Sequence, residues 1–212
     1  MILLDLPHPS NELLSSALAK HAIIKRTNGL NGWYAEFMPD YNVAELSFSI
    51  PATDLILQNL FNKQYGDKFH IEGKSSHFWV INFTNVNQAK GPAVFPPHTD
   101  NAREISINYI IDPGGSKVTT SIYKEKNDSP GRDTRKFNEV TLDNRYLIPT
   151  NTWVAFNSKN FHSVENIDTE RTILSIVVSR NYEKEYVSYH DFESKYLPAI
   201  YKSDGAIYEY IK

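Results

Sequence analysis

From Glu104 to Asp112 the chain reads EISINYIID. Ile105, Ile107, Tyr109 and Ile111 fall on one side of an extended segment, and Ser106, Asn108 and Ile110 on the other, because successive side chains of a strand point to opposite faces. Segments of the same β-rich texture lie on both sides of it, at 77–83, 118–124, 137–142, 152–156, 162–167 and 171–179. Turn residues separate them, among them Gly114-Gly115, which reads as a turn and not as a phosphate cradle because no helix opens after it. Strands at this spacing predict a β-sandwich or barrel.

Outward from this core the texture changes. Pro9-Ser10-Asn11 offers helix-cap chemistry, and Leu13, Leu14, Ala17 and Leu18 recur at helical spacing to about Ala22. Asn28-Gly29 and Asn31-Gly32 mark turns before the aromatics Trp33, Tyr34 and Phe37. A second helix is predicted from Thr53 or Asp54 to Gly66. The Tyr-rich residues after 180 read as a helix and an extended tail packed on the domain. No repeat or convincing linker divides the 212 residues, so one domain is expected. It has N-terminal helical support over 1–72, a β core over about 73–180 and a C-terminal extension over 181–212. A domain of this size buries roughly 70% of the surface its unfolded chain would expose.

Composition excludes several classes. With no cysteine there is no disulfide scaffold, thiolate zinc site, iron–sulfur cluster or cysteine nucleophile. Twenty-two basic against 25 acidic residues leave no field that favours nucleic acid. No apolar run approaches the ~18 residues that span a bilayer. MILLDLPHPS lacks the basic region and long apolar core of a secretory signal, so the cytoplasm is the default compartment. For the same reason Asn82-Phe83-Thr84 and Asn127-Asp128-Ser129 are chance matches to the glycosylation pattern.

Of seven histidines, His8, His21, His70 and His190 read as ordinary surface or core residues, and His77 has no carboxylate at ligand spacing. His98-Thr99-Asp100 differs. In an extended segment residues i and i+2 share a side, so an imidazole and a carboxylate converge. A third metal ligand must come from elsewhere, and His162, in the strand-like FHSVENI, is the candidate. Two imidazoles and one carboxylate with open positions opposite suit a non-haem Fe(II) oxygenase. The plainer alternative makes Asp100 a turn cap and His98 an exposed side chain. Arg171 follows His162 by nine residues. If both lie on adjacent antiparallel strands they face one cavity, where a guanidinium takes a carboxylate bidentately. Ser175, four residues on, shares its face. The alternative for Arg171 is a strand-edge charge paired with Glu165 or Glu170. Lys124 to Lys136, KEKNDSPGRDTRK, reads as a solvated hairpin loop, or as a loop closing over substrate at a barrel mouth.

PPHTDN, EISINYIID, PGG, NTWVAFNS, FHSVENI and ERTILSIVV, in that order, resemble the Fe(II)/2-oxoglutarate-dependent dioxygenases, prolyl 4-hydroxylases in particular. The likeness covers roughly 78–178. It implies a mainly β fold with flanking helices, a double-stranded β-helix or jelly roll. It implies Fe(II) held by His98, Asp100 and His162, O2, and 2-oxoglutarate gripped at its distal carboxylate by Arg171, with Ser175 and Asn108 lining the cosubstrate pocket. The implied reaction hydroxylates an amino acid or peptidyl residue, proline first, and releases succinate and CO2. The cosubstrate-binding Tyr usual in such hydroxylases is missing from VINFTN, where Phe83 or Asn82 stands. Val177 occupies the place of a second Arg of nucleic-acid repair members, and Asp100 argues against halogenation. The implied partner is therefore a small molecule or peptide, with neither nucleic acid nor membrane. A non-catalytic jelly-roll binding module that retains the metal motif is the alternative, and a cupin-like metal enzyme independent of 2-oxoglutarate a third.

Overall fold

The strand that opened the sequence reading lies at the centre of a sheet. The computed structural model describes residues 1–4, 6, 8–12, 14–16, 18–19, 34–38, 43–49, 70–71, 78–85, 92–100, 104–126, 133–176, 178–180, 185–186, 189–190 and 208–209. In chain order the strands are β1 (Ile2–Leu4), β2 (Tyr34–Met38), β3 (Val43–Ser49), β4 (His70–Ile71) and β5 (Phe78–Asn85). Then follow β6 (Ala93–His98), β7 (Ile105–Asp112), β8 (Thr119–Glu125), β9 (Val140–Leu147) and β10 (Thr152–Asn157). The last are β11 (Phe161–Ile167), β12 (Arg171–Ile176), β13 (Val178–Arg180), β14 (Glu185–Tyr186) and β15 (Tyr208–Glu209). Among the described residues these form a large sheet, β1-β10-β7-β12-β5-β3-β2, a small sheet, β15-β9-β8-β11-β6, and a three-stranded one, β14-β13-β4.

The pairing is nested and antiparallel throughout the core. β5 pairs with β12, β6 with β11, β7 with β10 and β8 with β9. A hairpin of eight strands folded in this way winds between two sheets, which is the double-stranded β-helix expected from the sequence. Residues directly opposite one another share a face of the sheet. Asn108 stands opposite Val154 and Ser175, and Ile110 opposite Ile173. Ile110, Val154 and Ile173 cluster with Ile148, and Tyr146 of the small sheet packs on them, so this face looks inward. The other face of β7 is buried as well. Tyr109 packs on Trp153 at 5.0 Å between rings, and its hydroxyl donates to Asn151 and meets His8.

The helix predicted at the N-terminus is present, with described residues 11, 12, 14–16, 18 and 19 helical. The predicted helix over 53–66 lies outside the described residues. The first third is nonetheless not purely helical. β2 and β3 pair and extend the large sheet through β5, as Ala44, Leu46 and Phe48 alternating with Glu45, Ser47 and Ser49 would dictate. β6 was absent from the sequence reading because Pro96-Pro97 looks like a break. Proline is tolerated on an edge strand, and β6 is the edge of the small sheet. The strand expected at 137–142 begins at Val140 and runs on to Leu147 as β9, after a 3-10 turn at Phe137–Glu139. Among the described residues no helix is long and apolar enough to cross a membrane.

Candidate metal centre

β6 ends on His98, and β11 carries His162 directly opposite it. Register therefore brings the two imidazoles side by side across the small sheet, their ring centroids 4.2 Å apart. Asp100 lies two residues past the end of the strand, where its backbone N–H donates to Ser158 O at 2.9 Å. One donor atom from each of His98, Asp100 and His162 lies within 4.8 Å of the others. His98 is not the exposed side chain of the plainer reading, since its side chain is 20% exposed.

The protonation of both rings follows from their neighbours. His98 Nδ1 is 2.9 Å from Pro96 O, and His162 Nδ1 is 3.0 Å from Asn160 O. A carbonyl only accepts, so each Nδ1 carries a proton and donates it, and in the neutral ring the lone pair then lies on Nε2. These nitrogens lie 3.8 Å (His98) and 3.7 Å (His162) from Asp100 Oδ1. Such distances are too long for hydrogen bonds, yet one ion bonded at about 2.1 Å to each atom spans them. Phe95 and Phe156 set their rings edgewise on His98 and His162, at 4.5 and 4.9 Å. The donor set thus fits a divalent transition metal: two neutral imidazoles, each oriented by a backbone carbonyl, and one carboxylate.

Arg171 approaches from the other side. The expectation that it lies on a strand next to that of His162 is overturned: β11 belongs to the small sheet and β12 to the large one. The turn between them carries the chain across the jelly roll, so the two side chains belong to opposite walls. Arg171 is 4% exposed. Its Nη1 donates to Pro113 O at 3.1 Å, whereas Nε has no hydrogen-bond partner among the described residues. Burial pulls its pKa down to about 10, partly opposed by Asp112, so it remains a cation at neutral pH. The strand-edge alternative for Arg171 fails on burial, and Glu165 is taken by Arg145 at 3.0 Å. A buried, incompletely paired cation is costly unless an anion meets it. Ser175 and Asn108 are also buried on this inner face, with Ser175 Oγ donating to Asn108 Oδ1 at 2.6 Å. Phe83 and Asn82, which stand in place of the usual Tyr, lie opposite Arg171 and Thr172 in the backbone register.

Sequence reasoning missed three residues. Ser158 accepts the Asp100 N–H, Lys159 Nζ donates to Asp100 O at 2.8 Å, and Arg135 donates its backbone N–H to Pro97 O at 2.8 Å. No pattern in the chain marks them, because each acts through a loop that the fold brings back to the motif. His77 and His21 lie outside the described residues, and His190 is exposed.

No family model matches the sequence, and no curated protein matches it. Solved structures do resemble the fold. One is a 2OG-Fe(II) oxygenase family oxidoreductase from Burkholderia pseudomallei, 12% identical, with a TM-score of 0.44 over 79% of this chain and 81% of that one. The epimerase SnoN, solved with Fe3+, alpha ketoglutarate and nogalamycin RO, is 11% identical, with a TM-score of 0.46 over 82% and 77%. A prolyl 4-hydroxylase from Phytophthora capsici is 13% identical, with a TM-score of 0.41 over 86% and 61%. At such identities the resemblance concerns the course of the chain. The chemistry rests on the side chains.

Proposed function

We propose that this chain is an Fe(II)- and 2-oxoglutarate-dependent oxygenase that hydroxylates an amino acid or a peptidyl residue, proline first among them, with release of succinate and CO2. The observation that carries the reading is the convergence of His98, Asp100 and His162, with both Nε2 lone pairs fixed by the Nδ1 bonds to carbonyls. Ferrous iron held there would supply the redox chemistry with O2 that no side chain can perform. Arg171, buried with Nε unpartnered among the described residues, offers the counter-charge for the distal carboxylate of 2-oxoglutarate. Asn108 and Ser175, hydrogen-bonded to each other beneath it on the same face, would orient that cosubstrate. Phe95 and Phe156, packed edgewise on the imidazoles, would limit the access of water to them. The single-domain organisation, the cytoplasmic compartment and the small-molecule or peptide substrate belong to the same proposal.

The test is succinate formation from 2-oxoglutarate with added Fe(II), in the presence of free amino acids and proline-containing peptides. The reading expects succinate release that rises with the right substrate and vanishes in Asp100→Ala. A chain that binds Mn(II) and 2-oxoglutarate but never forms succinate is the non-catalytic binding module instead.

A further inference from the structure

Residues 133–135, ahead of β9, lie against the metal motif. Thr99 N–H donates to Asp133 O at 2.8 Å and Arg135 N–H to Pro97 O at 2.8 Å, with His98 and Thr134 bridged between them. Asp133 to Arg135 therefore lies as a short antiparallel strap along the outer edge of β6, where the small sheet would otherwise end. The segment read as a solvated loop is anchored at its far end.

What holds the strap is Arg135. Although flanked by exposed residues, it is only 5% exposed itself. Its Nε and Nη2 both donate to Glu125 Oε1, at 2.9 and 2.5 Å, and its guanidinium lies 4.9 Å from the centre of the Phe161 ring. Phe161 immediately precedes His162, and Pro97 immediately precedes His98. A single residue thus touches both ligand-bearing strands, through its backbone on one and its side chain on the other.

We infer that Arg135, latched by Glu125, is a positioning residue that clamps β6 against β11 and holds the two imidazoles at metal-binding separation. The energetics favour a latch over a passive contact. Removing Glu125 takes from a buried guanidinium the carboxylate oxygen that accepts both its Nε and Nη2 protons, which loosens the strap. Removing Arg135 frees both strands at the point where the ligands emerge. The inference rests on the proposed metal site and adds to it the element that preorganises it.

Mn(II) binding followed by electron paramagnetic resonance, with thermal unfolding by circular dichroism on the same samples, tests it. Outer residues that orient metal ligands typically cost at least tenfold in affinity when lost, so Arg135→Ala and Glu125→Gln should each weaken Mn(II) binding by about tenfold. Arg145→Ala, which breaks the pair with Glu165 in the same sheet, is the control and should lower Tm without changing the Mn(II) affinity. All titrations are run well below the lowest Tm, and Glu125→Gln carries the test should Arg135→Ala not fold. If both latch variants bind Mn(II) as the unaltered chain does, or if Arg145→Ala weakens binding as much as they do, the latch is wrong while the metal site stands. If the unaltered chain itself binds no Mn(II), the proposed function falls as well.

Discussion

Arg171 and Gly114 make one unit at the scale of the residue. Gly114 sits at φ 84°, and a Cβ there would lie 2.9 Å from Arg171 Cβ and 3.1 Å from Thr169 O. Both the left-handed backbone and the close approach demand glycine. Gly114→Ala should cost about 2 kcal/mol in urea unfolding and, by displacing Arg171, weaken 2-oxoglutarate binding while Mn(II) binding persists. Arg171→Met separates a ligand site from a structural ion. A buried charge with incomplete pairing adds little to stability, and an apolar side chain of similar length is often neutral or better. The variant should keep or raise the urea midpoint yet lose about 3 kcal/mol of 2-oxoglutarate affinity by calorimetry. Loss of folding without any effect on 2-oxoglutarate in the surviving native fraction would make Arg171 scaffold. The two candidate ligands on one tripeptide could be picked out in the sequence because side-chain alternation is local. The placement of Arg171 on the opposite wall could not, since the three residues between Ile167 and Arg171 can join neighbours in a sheet or carry the chain between sheets.

At the scale of the element, the small sheet carries a buried polar cluster on the face turned away from His162. Tyr123 Oη donates to Glu165 Oε1 at 2.6 Å, Ser163 Oγ to the same oxygen at 2.9 Å, and Arg145 Nη2 to Oε2 at 3.0 Å. Burial alone would raise the Glu165 pKa, but the hydroxyls of Ser121, Tyr123 and Ser163 together with Arg145 outweigh it and hold it below the ordinary value. The same burial, and the carboxylate beside it, push the Tyr123 hydroxyl up to about 12. A carboxylate with a depressed folded pKa adds stability above its unfolded pKa, and that stability is lost as pH falls through the folded value. Glu165→Gln should therefore be less stable than the unaltered chain at neutral pH. The gap should close as pH falls below about 4, read by urea unfolding across pH, and a gap constant with pH would show that the charge is irrelevant. The strands themselves were largely readable, because period-two patterning marks 105–111 and short β-rich segments between turn residues mark 152–156 and 162–167. β6 is masked in the sequence by its two prolines, and the β2–β3 hairpin by the Asn-Gly turn pairs just before it.

At the scale of the whole molecule, the nested pairing sets the two halves of the proposed site on different sheets. The metal ligands belong to β6, the residues just after it and β11, the cation to β12. Nothing in a linear pattern shows such a division, because it arises from strand pairs as distant as Phe83 with Arg171. It has a thermodynamic consequence. A ligand that meets the metal at one end and Arg171 at the other is a tie between sheets that separate on unfolding, and binding to the native state alone stabilises by about 2.7 kcal/mol at a hundredfold excess over Kd. Mn(II) alone should raise Tm modestly, and 2-oxoglutarate alone scarcely at all, since its metal-facing end lacks a partner. The two together should raise Tm by more than the sum. Arg171→Met should keep the Mn(II) increment and abolish the extra one, whereas Asp100→Ala should abolish both. Strictly additive shifts in the unaltered chain would mean that the diacid does not bridge the sheets, and the proposed cosubstrate pose would have to be given up.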